Sequence, residues 1–295
     1  MTLVSVIIPT RNRAPLLREA IESVLAVQRD DFEIEAIVID DGSTDETPQV
    51  AAAYPVRYLR TEGLGLGASA ARNAGMRAAQ GDFIAFLDDD DVWLPGNIQP
   101  QLNVFKTHPE YGMVHAQVIL TNADRSPYGE PVPSGPLKSG WIFDELLNYW
   151  PQLGCVVVRT SVVREIGDFN PAYRAEEEWD WMLRIAERYQ IGRIEQPVML
   201  FRQRGYGDEE LTWRRMPDTL RVLRKYTAGT PERSAAGRRL RRKIRGWYAS
   251  QFLMSARYYA KLGNRNRSLH CIYYATRASL PHTVVLAAQS REWEI

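Results

Sequence analysis

The chain has 295 residues, of which 45% are hydrophobic and 25% are charged. This length fits one large domain, or one domain with an appendage, and the apolar content is sufficient for a substantial core. The absence of an apolar run of 18 residues predicts no membrane-spanning helix, and the N-terminus lacks the basic region of a secretion signal. The only two cysteines, Cys155 and Cys271, are predicted to be packing residues in a reducing compartment.

Positive charge is concentrated at the C-terminal end of the chain. Residues 202–295 hold 20 Lys and Arg against 7 Asp and Glu, a balance of +13, although the whole chain has a net charge of only +1. No zinc-binding, RNP-type or helix-turn-helix signature accompanies these residues, so we expect no nucleic-acid partner. The cluster Arg238–Arg245 is either a solvated helix face or a patch that contacts an anionic membrane. The expected location is cytoplasmic, with peripheral contact at the inner face of the cell membrane.

Apolar runs alternate with helical patterns in the first hundred residues. Strands are predicted at Val4–Pro9, Ile34–Ile39, Val56–Leu59 and Phe83–Leu87, and helices at Arg13–Val27, Thr44–Ala53 and Ser69–Ala79. Unbroken apolar strands that alternate with helices predict an α/β fold with a parallel sheet covered on both faces. In such a sheet the polar loops collect at the carboxyl ends of the strands, where ligands bind.

The pattern changes after Val92. Helices are predicted at Ile98–Thr107, Trp141–Asn148 and Glu177–Tyr189, strands at Met113–Thr121 and Cys155–Arg159, and a flexible loop at Asn122–Gly140. Two amphipathic segments near the C-terminus, Trp247–Leu262 and Arg267–Ser279, predict an αα-hairpin. It resembles one tetratricopeptide-like unit.

Four consecutive acids, Asp88 to Asp91, follow the apolar run that ends at Leu87. A solvated acidic turn would explain them, but a hard cation such as Mg²⁺ or Mn²⁺ also binds carboxylate oxygens. Residues i and i+2 of an extended chain point the same way, so Asp88 and Asp90 are predicted to share one polar site.

Three further segments carry charged residues that the predicted fold could bring close to the carboxyl ends of the strands. Asp40 and Asp41 end the second strand and suit base or ribose recognition, besides forming a turn before a helix. Arg72 lies in a small-residue segment that lets a helix approach the sheet closely. Three acids, Glu176 to Glu178, open a predicted helix, where the helix dipole alone could favour them.

These segments together resemble the family 2 glycosyltransferases of the GT-A fold. The resemblance covers about residues 3–202 and rests on motifs in the family's order: Val4–Arg13, Asp40–Asp45, Ala71–Gly75, Phe86–Asp91 and Glu177–Ala186. It implies a GT-A type α/β fold, a mostly parallel sheet flanked by helices, followed by a small α-helical extension. The expected domains are a glycosyltransferase domain at 1–203, with a nucleotide-binding half (1–95) and an acceptor-binding half (96–203), and a basic helical region at 204–295.

The resemblance also implies roles for individual residues. The nucleobase pocket would be lined by Pro9, Thr10, Arg11 and Asp41. Arg72 would lie near the diphosphate or the donor sugar. Asp88 and Asp89 would serve the ribose or donor sugar, and Asp90, with Asp88, would bind the metal, Mg²⁺ or Mn²⁺. Glu178 would be the general base.

Two departures from the family pattern stand out. Glu178 occupies a position where the family usually has Asp, which makes the neighbouring Glu177 a rival for the role of base. Phe201–Arg204 stands where many members read Tyr-Arg-x-His, so Arg202 or Arg204 is expected to neutralise the diphosphate instead.

The implied reaction transfers a sugar from a nucleoside diphosphate donor, UDP- or dTDP-linked, to an acceptor hydroxyl with inversion. The acceptor is a glycan, a lipid-linked molecule or a small molecule in polysaccharide, glycolipid or natural-product biosynthesis. One alternative is a sugar-phosphate nucleotidylyltransferase, although the glycine-rich loop of that class is missing after the first strand. A catalytically silent sugar-nucleotide-binding module is the other.

Overall fold

The computed structural model describes residues 1–63, 65–134, 138–203, 209–229 and 231–289. Contacts within the chain divide it into two compact units. The first unit contains residues 1–171 and 177–203, and the second contains residues 172–176 and 204–295. The assignment of residues 1–95 to the donor and 96–203 to the acceptor stays a prediction.

Eight strands of the first unit form one sheet in the order β3-β2-β1-β4-β7-β6-β8-β5. The strands are β1 (Thr2–Thr10), β2 (Phe32–Asp40), β3 (Arg57–Arg60), β4 (Phe83–Phe86), β5 (Val92–Trp93), β6 (Tyr111–Thr121), β7 (Val156–Arg159) and β8 (Gln190–Arg202).

Helices flank this sheet and make up the second unit. The helices of the first unit are α1 (Ala14–Leu25), α2 (Thr47–Ala52), α3 (Ala68–Ala78), α4 (Gln99–Thr107), α5 (Phe143–Leu146), α6 (Thr160–Ile166) and α7 (Glu177–Ala186). The second unit contains α8 (Glu209–Thr227), α9 (Pro231–Lys261) and α10 (Arg265–Gln289). Among the residues that the structure describes, no helix combines the length and apolar character needed to cross a membrane.

The first four strands are parallel, with β1 between β2 and β4 and β3 beyond β2. The side chains of Val4, Val6, Ile7 and Ile8 are fully buried, as expected for a strand covered on both faces. Helix α3 packs closely on this part of the sheet, since a Cβ atom at Gly75 would lie 2.4 Å from Cγ2 of Ile7. The predicted use of small residues for a close helix–sheet approach is therefore confirmed.

The second half of the sheet contains both kinds of pairing, and β6 and β8 are parallel. Strand β7 pairs antiparallel with both β4 and β6, and β5 pairs antiparallel with β8, so the sheet is mixed. The α/β class is confirmed. Strand β8 was not predicted from the sequence. It contains Pro197, which cannot donate a hydrogen bond to a neighbouring strand. Its pairing with β6 is irregular near Gln117.

Both cysteines are buried and unbridged, as predicted for packing residues. The Sγ of Cys155 donates to the carbonyl oxygens of Gln152 and Ala116, and burial raises the pKa of this thiol to about 12. The thiolate needed for nucleophilic chemistry is therefore disfavoured at Cys155.

In the second unit, α9 and α10 form an αα-hairpin that turns at Gly263 (φ 72°), and α8 packs against α9. Its core is apolar and contains Met216, Tyr248, Ala249, Phe252, Leu253, Ala275 and Ala278. Helix α9 begins well before the predicted Trp247. Helix α10 is interrupted at Ser279 (φ −160°, ψ 93°), two residues before Pro281.

Candidate active site

Polar residues follow the adjacent parallel strands β2, β1 and β4 at the carboxyl edge of the sheet. This is where Thr10, Asp41 and the acidic run Asp88 to Asp91 lie. Because neighbouring parallel strands end at the same edge, residues far apart in sequence meet there. The structure thus brings most of the predicted site residues into one region of the first unit.

Three carboxylates of the acidic run converge. One oxygen from each of Asp88, Asp90 and Asp91 lies within 4.8 Å of the others. The pair Asp88 and Asp90 was predicted from extended-chain geometry, whereas Asp91 was missed. The chain turns at this point, with the Asp91 amide donating to the Asp88 carbonyl oxygen at 3.1 Å, and the turn adds the fourth acid to the cluster.

The donor set of this cluster fits a hard divalent cation. Its three carboxylates supply the oxygen ligands that Mg²⁺ and Mn²⁺ prefer. Burial, reinforced by the charges of Asp88 and Asp90, raises the pKa of Asp91 well above its usual range. A bound cation would place positive charge beside Asp91, and that charge would keep the carboxylate ionised.

Asp89 is not one of the three acids whose oxygens converge. Its carboxylate accepts hydrogen bonds at 2.8 Å from Thr10 Oγ1 and from Arg13. Burial raises the pKa of Asp89 to about 6 even though Arg13 and Thr10 lower it. Asp89 and Thr10, which were both predicted to contact the donor, are thus hydrogen-bonded to each other. Arg13 also pairs with Asp90 at 3.0 Å, and it was not predicted from the sequence as a site residue.

Arg72 is buried at the centre of a second charged cluster. Its guanidinium pairs with Asp88 at 2.6 Å, with Glu177 at 2.8 Å and with Glu178 at 3.5 Å. Burial lowers the pKa of Arg72, but Asp88, Glu178 and Glu177 raise it by more, so the side chain stays charged. The sequence placed Arg72 near the donor diphosphate; in the structure its partners are carboxylates of the protein.

The acids that open α7 differ in their access to solvent. The side chain of Glu178 is 21% exposed, that of Glu177 is 9% exposed, and that of Asp180 is 1% exposed and pairs with Arg184 at 3.2 Å. Glu177 and Glu178 lie in the first turn of α7, where acidic side chains interact favourably with the helix dipole. Of these three acids, Glu178 is the most accessible to solvent.

The residues assigned to the nucleobase pocket lie at the ends of β1 and β2. Pro9 is buried in β1, opposite Ile39. Asp41 accepts hydrogen bonds from the amides of Leu66 and Gly67, at 2.9 and 2.8 Å, and so orders the loop before α3. Arg11 covers this loop so closely that a Cβ atom at Gly65 would lie 2.2 Å from its Nη1 atom.

Arg202, expected to neutralise the diphosphate, also has partners within the first unit. Its guanidinium pairs with Glu19 at 3.1 Å, and its backbone amide donates to Asp91 at 2.9 Å. It therefore supports the acidic cluster through its main chain. Arg204 lies outside the described residues.

Comparison with known proteins identifies a family and relatives that this chain resembles in sequence. The family model described as Glycosyl transferase family 2 matches residues 5–167. An uncharacterised glycosyltransferase of Rickettsia felis is 34% identical over 208 residues, covering 69% of this chain and 33% of that protein. One from Nostoc is 33% identical over 177 residues, covering 57% of this chain and 54% of that protein. The chain thus spans about a third to a half of the length of these relatives.

Solved structures show the same fold at low sequence identity. Staphylococcus aureus TarS (1–349) in complex with UDP-GlcNAc has a TM-score of 0.60 at 15% identity, covering 94% of this chain and 92% of that one. The mannosyltransferase PcManGT of Pyrobaculum calidifontis, in complex with GDP-Man and Mn²⁺, has a TM-score of 0.59 at 18% identity, covering 99% and 87%. The expected GT-A type fold is confirmed. Since the family match covers more than half of the residues, the chain belongs to glycosyl transferase family 2.

Proposed function

We propose that this chain transfers a sugar from a nucleoside diphosphate donor, UDP- or dTDP-linked, to an acceptor hydroxyl, with inversion and with the help of Mg²⁺ or Mn²⁺. The observation that carries the proposal is the position of Arg72. Its buried guanidinium contacts both Asp88, in the three-acid cluster, and Glu178, at the start of α7. One proposed metal ligand, Asp88, and the proposed base, Glu178, thus both pair with Arg72.

Asp88, Asp90 and Asp91 would hold the divalent ion. When bound, such an ion supplies Lewis-acid stabilisation of the negative charge that develops on a diphosphate leaving group. Arg13 keeps Asp90 in place through their ion pair at 3.0 Å. The Mn²⁺ and GDP-Man of the structurally similar mannosyltransferase support the choice of cofactor and donor class.

Pro9, Thr10, Arg11 and Asp41 would form the nucleobase side of the donor site. Asp41 would act by shaping the loop before α3, because its carboxylate bonds to that loop's amides. Asp89 would hold the Thr10 side chain in position, because its carboxylate accepts the hydrogen bond of the Thr10 hydroxyl. Hydrogen bonds hold Thr10 and Asp41 in place before any donor binds, which lowers the ordering cost of binding.

Glu178 would be the general base. It would take the proton of the acceptor hydroxyl as the acceptor oxygen bonds to the anomeric carbon of the donor sugar. The bond from that carbon to the diphosphate breaks in the same step, and the nucleoside diphosphate leaves with the electron pair. A single carboxylate opposite the leaving group gives inversion at the anomeric carbon. The contact with Arg72 favours the ionised carboxylate that a base requires.

A catalytically silent sugar-nucleotide-binding module is the second candidate, because Glu stands where the family usually has Asp. The match to glycosyl transferase family 2 leaves a nucleotidylyltransferase without support.

For the acceptor we propose a glycan, a lipid-linked molecule or a small molecule. For the location we propose the cytoplasm, with peripheral contact to an anionic membrane. The charge balance of +13 at residues 202–295 supports the membrane contact.

Thermal shift measurements with nucleoside diphosphates test the binding half of the proposal. Specific binding to the folded state raises the melting temperature, so a UDP- or dTDP-dependent rise that requires Mn²⁺ or Mg²⁺ is expected. Donor hydrolysis and transfer assays then separate an enzyme from a silent module. No nucleotide-dependent rise with either metal would contradict the proposed donor class.

A further inference from the structure

The helical hairpin of the second unit has an unusual charge composition. Residues 233–289 contain twelve Lys and Arg and no Asp or Glu. The positive charge of this segment therefore has no acidic partner within the same stretch of sequence. Such a segment attracts a polyanionic surface, and its attraction is screened by salt.

Helix α9 also exposes an apolar stripe. Trp247, Met254 and Tyr258 are all exposed. At 100° per residue, they fall within an arc of about 40° on the helix surface. The other side of the helix carries the buried residues Tyr248 and Phe252, which belong to the core of the second unit. The stripe is thus a separate apolar face.

Two lysines lie beside this stripe at its two ends. Lys243 and Lys261 are both exposed and both fall about 40° to the same side of Trp247. The face from Lys243 to Lys261 is about 27 Å long at 1.5 Å per residue. It combines large apolar side chains with flanking amines, which is the composition of helices that lie in a membrane interface.

We propose that this α9 face, formed by Lys243, Trp247, Met254, Tyr258 and Lys261, lies in the headgroup region of an anionic membrane. Trp and Tyr suit the boundary between headgroups and acyl chains, because their rings are amphipathic. The lysine stems can lie along apolar surface while their amines reach lipid phosphates. The inference gives the proposed membrane contact a defined surface and does not depend on glycosyl transfer.

Charge and surface chemistry favour a membrane over other occupants of this face. A second copy of the chain would bring two acid-free basic segments together, and like charges across an interface are unfavourable. The phosphates of a nucleic acid would also be attracted to the positive charge of this segment. An exposed Met and a lysine-flanked apolar stripe, however, match acyl chains better than a phosphate backbone.

Flotation of the 295-residue chain with vesicles tests the proposal without donor or acceptor. The vesicles contain phosphatidylcholine alone or phosphatidylcholine with phosphatidylglycerol. The variants are Trp247→Gln and the pair Lys243→Gln with Lys261→Gln. Trp141→Gln is the matched control, since Trp141 is 65% exposed and Trp247 is 55% exposed, but Trp141 lies in the first unit.

The wild-type chain is expected to bind the anionic vesicles and to be partly released by high salt. The lysine pair variant should bind roughly 25-fold more weakly at low salt, which is about fivefold for each lysine. Trp247→Gln should weaken it roughly tenfold at low and high salt alike, since apolar burial is not screened. Addition of vesicles should shift tryptophan emission to the blue in wild type and Trp141→Gln, and the shift should be reduced in Trp247→Gln.

Three results would overturn the proposal. They are no binding to anionic vesicles at low salt, equal binding by wild type and Trp247→Gln, and a dimer that Trp247→Gln dissociates. Binding of RNA or DNA that the lysine pair weakens, without vesicle binding, would show that the face serves nucleic acid. A chain that binds vesicles but transfers no sugar keeps this inference and loses only the proposed enzymatic function.

Discussion

Arg72 pairs more closely with Glu177, at 2.8 Å, than with Glu178, at 3.5 Å. Glu177 is also the less exposed of the two acids, so its carboxylate is mainly a partner for the buried guanidinium. Glu178 is more exposed to solvent, and we therefore expect it to be the one that an acceptor can reach. The two neighbouring glutamates are therefore expected to differ in kind, one structural and one catalytic.

Substitution at these two positions separates the roles. Glu178→Gln should bind the donor normally and transfer about 10²–10⁴-fold more slowly, because it removes the base and keeps the size of the side chain. Glu177→Gln should lower stability and affect transfer less. Transfer rates and donor affinity by calorimetry give the comparison. Near-normal transfer by Glu178→Gln with an inactive Glu177→Gln would move the base by one residue.

Removal of Arg72 should destabilise the first unit. Arg72→Met leaves the buried Glu177 without its positively charged partner, and breaking a buried ion pair costs about 3–5 kcal/mol. The control is Arg77→Met on the same helix, whose exposed pair with Asp168 should contribute no more than about 1 kcal/mol. Denaturant unfolding measures both. Equal losses of stability in the two variants would show that the Arg72 cluster is not a buried network.

The metal response should depend on the three-acid cluster. Asp90→Asn should abolish the effect of Mg²⁺ or Mn²⁺ on nucleoside diphosphate binding, and Asp91→Asn should weaken it, because each removes a charged ligand. Asp168→Asn, on the exposed side of the first unit, is the control and should respond as wild type does. Calorimetry with and without the metal gives the result. An unchanged metal response in Asp90→Asn removes Asp90 from the site.

His115 should make the first unit sensitive to mild acid. Burial, assisted by Arg193, lowers the pKa of His115 from 6.5 to about 4. Between these values the unfolded chain binds more protons than the folded chain. Stability is therefore fully present above about pH 6.5 and falls as the pH drops toward 4, by about 3 kcal/mol in total.

His115→Gln should flatten this pH dependence, because glutamine does not titrate. The control is His108→Gln, at an exposed histidine that hydrogen-bonds Glu110. Unfolding free energies at several values between pH 4 and 7 give the slopes. If wild type, His115→Gln and His108→Gln all lose stability in parallel, His115 does not carry the acid sensitivity.

Local patterns determined much of this protein. The apolar runs ending at Pro9, Ile39 and Leu87 predicted parallel strands β1, β2 and β4, because a strand buried on both faces must be apolar throughout. Charged residues that directly follow such strands could be assigned to one edge of the sheet. The motifs at those positions also indicated the family, which the comparisons confirmed.

Tertiary structure decided which charged groups pair. Arg72 meets Glu177 across 105 positions of sequence, a contact set by the packing of α3 and α7. A turn brings Asp91 into the acidic cluster and directs Asp89 toward Thr10 and Arg13. Extended-chain alternation could not show this, because side-chain direction depends on the local turn. Burial then strengthens the pair of Arg72 and Glu177, since water screens it less, and burial depends on the whole fold.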